Sequence, residues 1–302
     1  MLSLPEIQVA DPIHHEALTI FPLLAGPGAN VEYLLADEAI AAGSVTVEEV
    51  GEAGTVPSLI VNNQFDRLVL FLEGEELRGA KQNRVLNTSV LVAAASKTAI
   101  PVSCVERGRW RYVSPHFASG GSHSSPKLRH ILKKSVSQSA GEGRGHESDQ
   151  AGVWKEVARQ MAFLGSESPT AAMADTYVAH QGRLDEFRGR LKYVEGASGL
   201  AVEVGGRVTS VDLFDKPATC QKVWDRLLTG PIMDALEAGP AASSVGGDEV
   251  LATLATLRNA PWKESSAVGV GEEFRADLEG DRHVSALAYG GSVVHGSLVV
   301  AG

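Results

Sequence analysis

The chain has 302 residues, 44% hydrophobic and 21% charged, with 37 acids against 27 bases and a formal net charge of -10. A globular chain of this size can bury a core without metals or disulfides, and its acidic balance excludes bulk nucleic-acid binding, which needs a basic face. The two cysteines, Cys104 and Cys220, lie too far apart for a disulfide framework or a zinc motif, so a reducing compartment is expected.

The start, MLSLPEIQVADPIHHEAL, has no basic segment leading into an apolar one. No apolar run nears the ~20 residues of a membrane helix. The expected location is therefore cytoplasmic.

The first third is rich in strand signals. Short apolar or alternating runs at 16–24, 31–40, 45–50, 58–64, 67–77, 84–94 and 98–110 are separated by Gly, Pro, Asn or Asp. Consecutive short strands imply antiparallel sheets, as a sandwich or a barrel, rather than βαβ units. The segment 114–150 is rich in Ser and Gly. Within it Leu128, Ile131, Leu132 and Val136 recur at helical spacing behind Ser125-Pro126, a helix start. The rest of that helix carries Lys127, Arg129, His130, Lys133 and Lys134, which reads as a solvated face, with an anion-binding lid or a subunit contact as the sharper reading.

Residues 150–165 form an amphipathic stripe of Val153, Trp154, Val157, Met161 and Leu164. Helix is also expected over 168–191, opened by Ser168-Pro169. Two strands flank Gly205-Gly206 within 199–214, a hairpin signal. A helix opened by Pro217 runs over 216–239 and bends or restarts at Gly230-Pro231. A flexible break at 239–249 precedes a short helix. A last hairpin, 283–300, turns at Gly290-Gly291. The fold class expected is α+β: an antiparallel β core, sandwich or barrel-like, with the central helices packed on one side. Residues 1–240 form the main domain. Residues 241–302 hold the break, the helix and the hairpin, joined to the same core.

The densest polar cluster lies in LEGEELRGAKQNRVLNTSVLV, from Leu72 to Val92, between two apolar strands. It is either a solvated hairpin tip or the wall of a pocket. Lys81 and Arg84 offer cationic donors and Gln82 and Asn83 offer amides, a set able to clamp a phosphate or carboxylate. Glu73, Glu75 and Glu76 offer a base or a metal ligand. The second stretch is IPVSCVERGRW. With Val105 facing the core, Cys104 and Glu106 share the other face. Burying Glu106 requires a partner, for which Arg84 and Arg109 are the candidates. Cys104 reads as a small buried hydrophobe first and a nucleophile second. Trp110 reads as core before it reads as a stacking platform. No short His spacing typical of a transition-metal site occurs, so no metal is expected.

Three runs in order, GEELRGAKQNRVLNTSVLV, IPVSCVERGRW and SVDLFDKPATCQKVWDRLL, are similar to a family of prokaryotic proteins named for association with ADP-ribosylglycohydrolases and rhodanese-phosphatases. The resemblance covers about Glu16 to Leu236, and no family motif is seen after about residue 240. It implies a neighbourhood of ADP-ribose and phosphate-ester chemistry, not a mechanism or a cofactor. With it, the leading expectation is a small-molecule enzyme or binding protein for an anionic, nucleotide-like ligand. Glu75 and Glu106 would do acid/base or metal work there. Lys81, Gln82, Asn83, Arg84, Arg109 and Trp110 would hold the ligand, with Cys104 as a secondary candidate. The contrasting expectation is a scaffold or homo-oligomer in which the same cluster is a buried network.

Overall fold

The computed structural model describes residues 2, 4–26, 31–239 and 246–301. The core of the expected break at 239–249, residues 240–245, lies outside the described residues.

Strands β1 (Ile7–Val9), β2 (Ile13–His15), β3 (Leu18–Ala25) and β4 (Tyr33–Leu35) lead into a short helix, α1 (Ala36–Ala41). Seven strands follow: β5 (Val45–Glu49), β6 (Ser58–Asn63), β7 (Leu68–Phe71), β8 (Glu75–Gly79), β9 (Arg84–Leu86), β10 (Val90–Val92) and β11 (Ser96–Cys104). Next come β12 (Phe117–His123) and the helices α2 (Pro126–Gly141), α3 (Gln150–Phe163), α4 (Met173–Ala179) and α5 (Gln181–Arg190). The hairpin β13 (Gly199–Val204) and β14 (Arg207–Phe214) precedes α6 (Pro217–Leu227), α7 (Thr229–Ala238) and α8 (Gly247–Arg258). The chain closes with β15 (Lys263–Ser265), β16 (Glu272–Leu278), β17 (Arg282–Tyr289) and β18 (Ser292–Val300).

The architecture is α+β. One sheet runs β1-β3-β13-β14-β18-β17-β16-β15, with β2 also on β3. It gathers strands from the beginning, middle and end of the chain. A second sheet runs β12-β8-β9-β11-β6-β5, and a small third sheet runs β10-β7-β4. Every pairing is antiparallel except β4 with β7. Alternation places the core faces: VTVEE in β5 and SLIVNN in β6 bury every second residue, as a half-solvated strand does.

Three apolar cores result. One fills the space between helices and sheets and includes Leu132, Val153, Phe187, Trp224 and Ile232. A second lies inside the first-third strands, with Val47, Phe71, Leu77, Leu86 and Val102 against Ala36 and Ala39 of α1. The third packs α8 on the large sheet through Val250, Leu254 and Leu257. Each large apolar side chain so buried contributes about 1.5–3 kcal/mol.

Helix α2 starts as its sequence asks: the Ser125 side chain accepts from Leu128 N–H, and Pro126 fills the first turn. Its basic residues depart from expectation. Arg129 is 2% exposed and Lys133 0%, so the solvated-face reading fails for both. Their side chains reach carboxylates from other elements, which the helix's own sequence does not reveal.

Three further departures are local. The run 31–40 is strand only to Leu35 and then helix. Helix in 168–191 begins at Met173, because Ser168 caps a turn through Ala172 N–H and Asp175 instead, and it breaks at His180. The helix after Pro217 restarts at Thr229, next to Gly230-Pro231 as expected. There α7 passes so close to Ser124 that a Cβ on Gly230 would sit 2.2 Å from the Ser124 carbonyl oxygen.

Candidate functional site

The polar stretch of 73–84 is no hairpin tip. Glu75–Gly79 is itself a strand, and a tight turn at Ala80–Asn83 returns the chain as β9. Ala80 takes the left-handed region at φ 37°. Leu77 stands opposite Arg84, and Glu76 opposite Val85. Glu73, Glu75, Glu76 and Arg84 are all 2% exposed or less.

Neighbouring residues of that strand serve different partners. Glu75 turns toward α1 and α6, where Arg226 Nη1 lies 3.7 Å from its Oε1 and also pairs with Asp37. Burial pushes the Glu75 carboxyl up, with Arg226 opposing. Glu76 accepts from Arg78 and Ser122 on β12. Glu75 and Glu106, expected to do acid/base or metal work, are held by different cations, Arg226 and Arg109.

Glu106 takes Arg109, not Arg84, as its partner. The guanidinium donates to both carboxylate oxygens at 2.8 and 2.6 Å. Thr170 Oγ1 and Asn83 N–H add bonds at 2.8 and 3.0 Å. Burial raises the carboxyl, but these donors outweigh it and hold Glu106 below the ordinary glutamate value. Arg109 also donates to the Ala80, Gly79 and Arg111 carbonyls and to Asn83 Oδ1. Gln82 donates to the Glu106 carbonyl. The knot pins the turn 80–83 to the loop after β11 and leaves Glu106 no free lone pair suited to catalysis.

Arg84 is different. It faces into the first-third barrel-like core beside Cys104, its cross-strand partner on β11. Its Nη1 donates to Gln82 Oε1 at 3.0 Å, and its Nη2 stands 3.9 Å from Glu49 Oε1. Nε and Nη2 have no hydrogen-bond partner among the described residues, and neither does Glu49 Oε2. A buried guanidinium with unpartnered N–H groups is costly. Burial depresses its pKa, with Cys104 and Glu49 opposing. Over it lies the loop 107–113. Trp110 is 47% exposed and Tyr112 49%, which overturns the reading of Trp110 as core. The Arg84 guanidinium carbon is 5.7 Å from the Trp110 ring centre, and Lys81 Nζ is 5.3 and 5.0 Å from the Trp110 and Tyr112 rings, within cation–π range. Lys81 Nζ also donates to the Glu52 and Ala53 carbonyls. Cys104 is inert here: burial pushes its thiol up.

Two further constellations gave no sequence signal. The first surrounds Glu73. Its carboxylate accepts from Arg129 Nη2 at 3.1 Å, Lys133 Nζ at 2.6 Å, Ser285 at 3.2 Å and Ser297 at 3.3 Å. Arg129 clasps Asp212 bidentately at 2.8 and 2.6 Å. His295 bridges Asp212 and Ser89. Burial raises Glu73 and Asp212, but the cations overcome it and hold both carboxyls far below the usual range. Burial drops Lys133 to about 8 against the pull of Glu73. The donors to Glu73 come from α2, β17 and β18, and Asp212 from β14, so only the folded chain assembles the set.

The second lines a cleft of ≈ 620 Å³ between α2, α3, α7 and the large sheet. Asp234 sits in its wall, 2% exposed, accepting from Lys127 N–H and Gln160 Nε2, both at 3.2 Å. Burial pushes it to about 7, Glu237 adding and Lys127 opposing. Its neighbour Glu237 is held low by Arg159 and Lys127 despite burial.

No helix among the described residues is long and apolar enough to cross a membrane. No curated protein and no solved structure is matched by the chain. A family model does match, from residue 6 to residue 299. The match extends past the limit near 236–240 set by the sequence motifs and takes in β15 to β18, whose residues complete the Glu73 network. The chain therefore belongs to the family of the ARG and Rhodanese-Phosphatase-superfamily-associated Protein domain.

Proposed function

We propose that the chain is a binding protein for a small anionic, nucleotide-like ligand, held at the corner formed by Lys81, Arg84 and Trp110. The observation that carries this reading is Arg84, wholly buried yet with two N–H groups unpartnered. A phosphate or carboxylate oxygen reaching Arg84 would satisfy both, as a guanidinium fork does. The half-exposed rings of Trp110 and Tyr112 offer a stacking face above it for a base or other planar group. Arg107 and Arg111 on the same exposed loop attract an anion to an otherwise acidic protein. An ADP-ribose or NAD-type ligand fits this pairing of ring and phosphate, and the family name points to the same chemistry. Glu106 is committed to Arg109, so the corner favours binding over acid/base catalysis.

The scaffold reading has its own support in the Glu73 network, which is buried and bonded throughout except at Arg129 Nε. The two readings apply to different clusters and are separated by one experiment. Binding of inorganic phosphate, AMP, NAD and ADP-ribose is followed by tryptophan fluorescence and calorimetry on the wild type, Trp110→Ala and Arg84→Met. Trp110 is at the surface, so its loss leaves folding intact. Stacking of one base contributes about 1–3 kcal/mol, so Trp110→Ala weakens affinity roughly 5- to 150-fold. The reading fails if none of the four binds, or if Trp110→Ala binds as the wild type does.

A further inference from the structure

His130 on α2 and His283 on β17 are distant in sequence, yet their rings meet with centres 5.0 Å apart. The carboxylate of Asp281, in the turn between β16 and β17, reaches between them. Its Oδ2 lies 3.4 Å from His130 Nε2, and its Oδ1 3.1 Å from His283 Nε2. The three groups have ligand atoms within 4.8 Å of one another.

Zinc binds imidazole nitrogen and carboxylate oxygen at about 2.0–2.2 Å in a tetrahedron, whose edges are then about 3.3–3.6 Å. The 3.4 Å from His130 Nε2 to Asp281 Oδ2 matches such an edge, while the 3.1 Å contact of His283 Nε2 is to the other carboxylate oxygen, Oδ1.

A second observation also points to a cation. The other ring nitrogen of His283, Nδ1, is 2.6 Å from Asp277 Oδ1. With Nδ1 held by Asp277, Nε2 is the ring nitrogen that faces Asp281. Carboxylate, imidazole and metal in line is the arrangement that orients metal-binding histidines generally. Two imidazoles and one carboxylate suit zinc rather than calcium or magnesium, which prefer all-oxygen shells.

We propose that His130 Nε2, His283 Nε2 and an oxygen of Asp281 form a zinc site, with Asp277 as the outer partner of His283. The Asp281 side chain is 43% exposed, so the fourth position opens to solvent, as in zinc sites that carry a water. Asp277 also lines a cleft of ≈ 480 Å³ bounded by α2, β15 and β16, which sets the site at the edge of a volume able to admit a small molecule. Two groups now occupy the places the metal would take. His130 Nε2 is 3.0 Å from the Asp281 carbonyl oxygen, and the proton it shares there must leave when the metal binds. Lys134 Nζ lies 2.8 and 3.0 Å from the two Asp281 carboxylate oxygens. Its side chain is 54% exposed and can swing into water. Lys134 is thus the metal's competitor, and its removal must strengthen binding.

The test uses the full chain, untagged and stripped with a chelator. One equivalent of Co²⁺ is added and the visible d–d absorption of four-coordinate cobalt is recorded; Zn²⁺ is then added to displace it. The wild type is expected to develop those bands and lose them to zinc. His130→Ala and His283→Ala are expected to develop none. Asp277→Asn, at an exposed side chain, weakens affinity about 10- to 100-fold, and Lys134→Gln tightens it. The proposal is overturned if the wild type gives no bands, or if the bands survive both histidine substitutions. Should those two variants fail to fold, the opposed shifts in Asp277→Asn and Lys134→Gln decide. A purely structural ion-pair cluster produces neither shift, and their absence overturns the proposal equally.

Discussion

Replacing Glu73 by Gln removes one charge and almost no volume from the centre of the molecule. Arg129 keeps Asp212, but Lys133 loses the carboxylate 2.6 Å from its Nζ. Ser285 and Ser297 remain near it, and neither carries charge. Breaking one side of a buried pair costs about 3–5 kcal/mol. The lysine has one escape, which is to give up its proton. From an ordinary lysine pKa of about 10.4, neutrality at pH 7 costs about 4.6 kcal/mol at most, so the two routes agree near 4 kcal/mol. With an unfolding entropy of about 2.1 cal/mol/K per residue, a loss of this size in a chain of 302 residues lowers Tm by roughly 6 °C.

The pH dependence supplies the sign. In the wild type Lys133 sits at about 8, below its unfolded value, so stability rises with pH only from about 8 upward. In Glu73→Gln the lysine is already neutral below 7, so the native state binds one proton fewer than the unfolded state from there on. Between pH 7 and 8 the variant gains about 1.4 kcal/mol that the wild type does not, and the Tm gap narrows by roughly 2 °C. Calorimetry at both pH values measures it. The companion Glu73→Gln with Lys133→Met removes both charges and is expected to recover most of the loss. A Glu73→Gln Tm within a degree of the wild type, or a double variant no better than the single one, refutes the reasoning.

Other outcomes follow from single contacts. Asp234 is raised to about 7, so its contribution is intact below about 4 and is lost as pH rises through 7; Asp234→Asn is expected to stabilise by on the order of 4 kcal/mol at pH 8 and by nothing at pH 4, read as melting temperatures at the two pH values. Gly230→Ala forces a Cβ to within 2.2 Å of the Ser124 carbonyl oxygen. Overpacking of this kind costs about 1–3 kcal/mol, and a melt measures it. Cys104 and Cys220 are buried with thiols pushed up by burial, so a thiol reagent is expected to react with neither until denaturant is added.

Much of the fold is legible because it depends on local pattern. Alternation in VTVEE and SLIVNN marks β5 and β6, Gly205-Gly206 and Gly290-Gly291 mark two hairpins, and Ser125-Pro126 and Pro217 mark two helix starts. Legibility ends where polar residues are buried. Glu75, Glu76 and Arg78 leave a solvated hairpin tip and a pocket wall both open, because charge normally signals water, yet the partners Arg226 and Ser122 arrive from far along the chain. Arg129 and Lys133 are misread for the same reason: Glu73 and Asp212 lie outside their helix. At the candidate corner the sequence brings the right residues together, since Asn83, Glu106 and Arg109 do meet. It does not choose among partners. Only geometry shows Arg109 taking Glu106 and leaving Arg84 Nε and Nη2 without a hydrogen-bond partner among the described residues. Asp234, and the pairing of His130 with His283, have no short spacing to announce them.

The buried charge around Glu73 and the buried charge around Arg84 differ in how they are partnered. Around Glu73, residues of α2, β14, β17 and β18 bond one another at every polar atom but Arg129 Nε, so the set fixes how α2 seats on the sheet. Mutating it should change stability before anything else. Around Arg84 the set is open: two N–H groups and one Glu49 oxygen stand without partners under a half-exposed tryptophan. Folding alone gains nothing from leaving them so, because each unpartnered buried group costs about 1–3 kcal/mol. Under the proposed function, a ligand completes this arrangement. Stability and binding are therefore expected to separate cleanly by residue, with Glu73, Arg129 and Lys133 on one side and Arg84 and Trp110 on the other.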